Sequence, residues 1–263
     1  MKQAQSLSEA GKMAIVSFEN NFIFVKTKKV AGTSVEGLLR TFCGSRDIIT
    51  PFTPRDEVEQ IDRGLPPQNY AKVRENELKF NDLIADGHLE DAIDFLGKMP
   101  KKLNNHARAK KLKAFVGSEF WQNSFTFSIE RHPYSFIASK LNFNTRNYNS
   151  CTDTISKQPN LSQKLQAKID AGILPNMGNS SWYRDEDGAI LVDRVLLYEN
   201  LEEELTEVLQ RLGLEASAVE SMPEFKSLRR FTVDDAKAIF TENQLECIYN
   251  AFRETFDTFG YES

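Results

Sequence analysis

The stretch FIFVKTKKVAGTSVEGLLRTF, Phe22 to Phe42, decides how the rest of the chain is read. Its first four residues are β-branched or aromatic, which predicts a short strand. Val35, Leu38, Leu39 and Phe42 recur at helical spacing, and Thr33 or Ser34 is placed to cap the helix they predict. Two readings fit the loop KTKKVAGTS between them. One is a capped helix behind a lysine-rich turn. The other is a phosphate cradle, because a strand, a tight turn and a helix aim free backbone N–H groups and the positive end of the helix dipole at one spot. In that reading Gly32 permits close backbone approach, Thr33 and Ser34 add hydroxyl donors, and Lys29 brings a mobile positive charge. The loop is not a Walker A box, since its lysine precedes the glycine by three positions and no GxxxxGK[ST] string is present.

Working outward, MAIVSFENNFIFVK predicts a hairpin around Asn20-Asn21, and RDIITPFTPRDE a strand running into a proline-punctuated loop. Residues 57–105 are polar and less regular, an insertion or lid within which LEDAIDFLGKM is helical. NHARAKKLKAFVG predicts a basic amphipathic helix ended by Gly117. SFTFSIE alternates as a strand, and Pro133 sits in the first turn of the helix YSFIASKLNF. Residues 144–180 form a long polar, acceptor-side loop, and DRVLLYE is a third core strand. Asn200 with Glu203, Thr232 with Asp235, and Thr241 with Gln244 mark three helix starts. Strands alternating with helices predict one α/β domain over residues 1–263, a three-layer sandwich whose central parallel sheet is flanked by helices.

Composition narrows the function classes. Basic and acidic residues number 33 and 38, a net charge of −5, which gives no general attraction to nucleic acid or an anionic membrane. Any anion site must therefore be local. No apolar run approaches the length of a membrane span, and the N-terminal MKQAQSLSEAGK lacks a signal-peptide core, so a cytoplasmic setting is expected. Cys43, Cys151 and Cys247 are far apart and show no metal-ligand spacing, which predicts quiet thiols and no metal site.

A second charged turn follows a strand in FSIERHPYSFIASKLNF. Arg131 at the strand end and Ser139 on the helix are placed to hold another phosphate, the guanidinium offering a two-pronged contact. The plainer reading is a surface arginine and a helix-face serine. Taken together, KVAGTS resembles the PKTAGTS loop of sulfotransferases, and IERHPYSFIASK resembles that family's arginine–serine element for the 3′-phosphate. The order and separation match the family's carbohydrate-type and bacterial branch. DRVLLYENLEEELTEVLQRLG and the terminal FGY are similar to its later part. The sequence departs from the family at two loop positions, where Lys28 replaces a proline and Val30 a threonine.

The resemblance implies a P-loop NTPase-like fold without a metal, and 3′-phosphoadenosine 5′-phosphosulfate (PAPS) as co-substrate. It implies that Lys29, Val30, Ala31, Gly32, Thr33 and Ser34 grip the 5′-phosphosulfate. Arg131 and Ser139 would hold the 3′-phosphate, with Arg229 and Arg230 as a C-terminal clamp. Sulfuryl transfer is mostly in-line positioning and charge neutralisation. Lys29 would stabilise the leaving oxygen, and His106, where related enzymes place a histidine before a helix, would be the general base. Glu36 is an acidic alternative. The acceptor hydroxyl or amine, for which a carbohydrate is one candidate, is not named by any motif, and neither is the oligomeric state. The competing classes are a P-loop kinase or nucleotide hydrolase and a catalytically inactive nucleotide-binding module.

Overall fold

The Phe22–Phe42 stretch folds as strand, loop and helix. In the computed structural model, which describes residues 14–103, 107–143, 160–223 and 231–263, the strands are β1 (Ala14–Ser17), β2 (Phe22–Val25), β3 (Ile48–Ile49), β4 (Phe125–Glu130) and β5 (Arg194–Leu197). They form one sheet in the order β3-β1-β2-β4-β5. The chain is α/β, as expected, but its sheet is mixed rather than parallel: β1 runs antiparallel to β2 and β3, while β2 and β4 are parallel. The cause is the length of the first connection. Ser17 and Phe22 are joined by a turn, far too short for the crossover that parallel neighbours need.

Asn21 takes a left-handed φ of 50° in that turn, a conformation asparagine tolerates better than most residues. Asp47 then locks it: its carboxylate accepts from Ser17 Oγ at 2.7 Å, Phe18 N at 2.6 Å and Glu19 N at 3.1 Å. Every residue of β1 and β2 is buried, so both faces of the sheet's centre are covered. This explains why their sequences read as continuous apolar runs.

The helices are α1 (Gly32–Leu39), α2 (Pro54–Asp62), α3 (Arg74–Ala85), α4 (Leu89–Lys98), α5 (Ala109–Val116), α6 (Ser118–Asn123), α7 (Pro133–Phe143), α8 (Leu161–Asp170), α9 (Leu201–Arg211), α10 (Val233–Ile239), α11 (Glu242–Ala251) and α12 (Arg253–Phe259). Residues 57–105 are more regular than their polar composition suggests, because α2, α3 and α4 pack on one another. The 144–180 segment likewise contains α8 beyond residue 160. Capping boxes are present at Thr232 and Thr241 as predicted. Asn200 stands at the start of α9, but its side chain caps nothing. Gly117 ends α5 with φ 85°.

Contacts group the chain into two compact units, Met1–Ile129 with Ser181–Lys226, and Glu130–Ser180 with Ser227–Ser263. The core of the first gathers Ile15, Phe22, Phe24, Phe127 and Leu196 from the sheet with Val35, Leu39, Leu205 and Leu209 from α1 and α9. The second is helical, its core built from Ile137, Leu165, Phe240, Ile248 and Phe256. Among the described residues no helix is long and apolar enough to cross a membrane.

Candidate functional site

The loop from Lys26 to Ala31 leaves the C-terminal end of β2, the end at which ligands gather in α/β sheets. Its root is tied to the neighbouring strand: Thr27 Oγ1 donates to the carbonyl of Ile129, and Ser128 Oγ donates to the carbonyl of Val25 at 2.7 Å. Lys29 and Ala31 both lie in the left-handed region, with φ of 59° and 57°. Neither is glycine, so the loop carries backbone strain of a kind concentrated at ligand sites.

The predicted cap on α1 is not there. Helix α1 starts at Gly32, two residues earlier than a Thr33 cap allows, and no side chain caps it. Instead Ala31 O accepts from Ser34 N at 2.8 Å and Val35 N at 3.1 Å. The positive end of the α1 dipole therefore opens onto the loop without a polar side chain of its own to neutralise it.

Each loop residue can now be placed. Lys29 is partly buried. Val30 is fully buried in the core beside Phe24 and Val35, so it offers a ligand only its backbone. This accounts for a valine in place of the threonine in the loop it resembles: the side chain anchors the loop to the core. Lys26 turns inward, and its Nζ donates to Thr33 Oγ1 and to Glu36 Oε2, both at 3.1 Å. It lies so close over Gly32 that a Cβ there would stand 2.8 Å from its Cγ and Cε. Glu36 is wholly buried, and burial raises its pKa more than the attraction of Lys26 and Arg40 lowers it. A carboxylate enclosed in this way has no path to an acceptor, so Glu36 is not a general base.

Sequence reading missed the network below Glu36. Arg40, one turn on, grips Glu57 with two bonds of 2.8 Å and donates to the carbonyls of Thr50 at 3.1 Å and Leu65 at 3.2 Å. Its guanidinium lies 3.9 Å from the centre of the Phe52 ring. The i, i+4 spacing of Glu36 and Arg40 on α1 was the available signal.

In the second unit, Arg131 is buried, with Nε donating to Ser135 Oγ at 2.9 Å and Nη2 to the carbonyl of Phe231. It is therefore not a surface arginine. Its hydroxyl partner is Ser135, one helical turn before the predicted Ser139, which is partly buried on the same face of α7. His132 serves the fold. Its Nδ1 accepts from Tyr134 N at 3.2 Å, so Nε2 carries the proton and faces the Glu262 carbonyl at 3.0 Å. Tyr261 of the terminal FGY packs on the same ring, 4.9 Å between centres. His88 is exposed at the start of α4. His106, Arg229 and Arg230 lie outside the described residues.

Burial pushes the Cys43 thiol far above its ordinary range, in keeping with a quiet cysteine. Tyr183 is fully buried. Most of the basic residues between Lys98 and Lys113 are engaged locally, as in Lys98 with Asp94 at 2.6 Å and Lys110 with Glu186 at 2.6 Å. No protein-family model, curated protein or solved structure matches this chain.

Proposed function

We propose that this chain is a sulfotransferase that moves a sulfuryl group from PAPS to a hydroxyl or amine of an acceptor. The observation that carries the reading is the loop between β2 and α1. It combines two non-glycine residues in left-handed conformation with a helix start that no side chain caps. Backbone N–H groups from Val30 to Thr33, with the Thr33 hydroxyl, are the donors for the 5′-phosphosulfate. Lys26 holds Thr33 Oγ1 as an acceptor, which turns the hydroxyl proton outward.

Bound PAPS supplies an activated sulfuryl group whose S–O bond breaks as the acceptor oxygen or nitrogen attacks. Lys29 neutralises charge growing on the leaving phosphate oxygen, and His106 takes the proton lost by the acceptor. Arg131, oriented by Ser135 and Phe231, and Ser139 serve the 3′-phosphate, and the resemblance assigns Arg229 and Arg230 to the same group. The acceptor class most in keeping with the resemblance is a carbohydrate.

The test is sulfuryl transfer from labelled PAPS in the presence of a chelator. The wild type transfers label without added metal, and Lys29→Ala lowers the rate by about 10²–10³, the scale of losing one transition-state donor. A strict metal requirement returns the chain to the kinase or nucleotide hydrolase class, and undiminished transfer by Lys29→Ala removes that lysine from the chemistry.

A further inference from the structure

A cleft of about 370 Å³ opens at the amino ends of β2, β4 and β5, within the first unit. Its size falls in the roughly 300–1,000 Å³ range of small-ligand sites. The β2–α1 loop leaves β2 at the other end, so the length of that strand, roughly 13 Å, separates the two places. Asn20, Asn21, Gln122, Asn123, Asp193 and Arg211 line the cleft, with the Phe125 ring among them.

Two opposite charges line this cleft without meeting. Asp193 is fixed by Thr126: one carboxylate oxygen accepts from Thr126 N at 2.7 Å and from Thr126 Oγ1 at 2.8 Å. The Asp193 N–H donates to the Thr126 carbonyl at 2.9 Å. The other carboxylate oxygen has no partner among the described residues. Arg211, the last residue of α9, lays its guanidinium 4.3 Å from the centre of the Phe125 ring. The carboxylate one turn before it, Glu207, is taken by Arg194 at 2.7 Å. Among the described residues Arg211 therefore makes no hydrogen bond or ion pair, with Asp193 or with any other group. Stacking on Phe125 uses one face of the guanidinium and leaves its edge, which carries the donors, for a partner.

The carboxamides are left open in the same way. Asn20 Nδ2 donates to the Phe42 carbonyl at 2.7 Å, so the amide oxygen is the atom left over. Asn21, Gln122 and Asn123 are exposed, and their side chains make no hydrogen bond among the described residues.

We infer that this cleft binds a free α-amino acid with a carboxamide side chain, at a second ligand site apart from the β2–α1 loop. The ligand's carboxylate takes the Arg211 donors, and its ammonium takes the open oxygen of Asp193. The lining carboxamides each donate and accept, which matches a carboxamide on the ligand. A simple anion meets Asp193 as a like charge and a simple cation meets Arg211 as one, so a ligand carrying both charges is preferred.

The test is an NMR titration of the isotope-labelled protein with L-glutamine, glutaramic acid and 4-aminobutanamide. The second lacks the ammonium and the third lacks the carboxylate, while both keep the carboxamide. L-Glutamine should saturably shift the Arg211 Nε–H signal and the Thr126 amide, which donates to Asp193. It should also bind at least about tenfold more tightly than either analogue. Arg211→Gln, at an exposed position, should keep the folded amide spectrum and erase the preference for L-glutamine over 4-aminobutanamide. Absence of a saturable shift, equal affinities for the three, or an unchanged preference in Arg211→Gln overturns the proposal. So does displacement of L-glutamine by 3′-phosphoadenosine 5′-phosphate (PAP), because the two sites would then be one. L-Glutamine binding in a protein that does not bind PAP leaves this site standing and removes the sulfotransferase reading instead.

Discussion

Gly32 is small for a reason that the sequence shows only in part. Close approach of a phosphate was the expected cause, but the side chain lying across it is Lys26, on its way to Thr33 and Glu36. Gly32→Ala should push Lys26 off both partners and destabilise the fold by about 1–3 kcal/mol, the range for overpacking and lost buried bonds. The measurement is a double-mutant cycle by denaturant unfolding: in a Lys26→Ala background the same substitution should lose most of its effect. Additive effects would mean that the alanine meets something else. Lys29, by contrast, is the one of the three loop lysines whose backbone is left-handed. Its two neighbours were not separable by sequence, because lysines at spacing two can turn to opposite sides. In the folded chain Lys26 turns into the core and Lys28 toward Trp182.

At the scale of the element, α1 carries a buried charge line on one face, Glu36 and Arg40, in a helix whose other residues are mostly apolar. Arg40→Ala leaves the buried Glu57 without its guanidinium partner, and should lower stability by about 3–5 kcal/mol in thermal or denaturant unfolding. Arg40→Met with Glu57→Leu should recover much of that, since replacing both partners removes the stranded charge. Glu36 predicts a pH effect whose sign follows from burial. Its folded pKa is raised above the ordinary 4.5, so the unfolded chain gives up this proton first. Its contribution is full below the unfolded value and is lost as pH rises toward the folded one. Glu36→Gln should therefore gain on the wild type as pH rises from acid to neutral. A stability difference that stays flat over that range would contradict the assignment. Periodicity located α1, α5, α7 and the capping boxes of α10 and α11. It could not show that Thr33 and Ser34 leave α1 uncapped, because whether a hydroxyl caps or faces a ligand depends on which residue starts the helix.

For the whole molecule, alternation of strands and helices gave the α/β class, while the mixed sheet escaped it. A hairpin between β1 and β2 was visible in the asparagine turn, yet its consequence, an antiparallel β1 inside the sheet, was set aside in favour of the general rule. The polar stretch after Pro54 hid α2 and α3, though not α4, because amphipathic helices packed on one another need few apolar residues. For the candidate site, sequence alone singled out Lys29 to Ser34 and Arg131 from their residue types and spacing. It was not legible where contacts between distant segments decide, as with Ser135 and with Phe231. The central claim, as proposed, is that the chain binds a nucleotide carrying both a 5′- and a 3′-phosphate. Calorimetric titration with PAP and, in parallel, with adenosine 5′-phosphate tests it most directly. The account predicts that PAP binds and that removal of the 3′-phosphate weakens binding by about tenfold or more, the worth of a charge-assisted arginine contact. Equal affinity for the two nucleotides, or no binding of either, would contradict it.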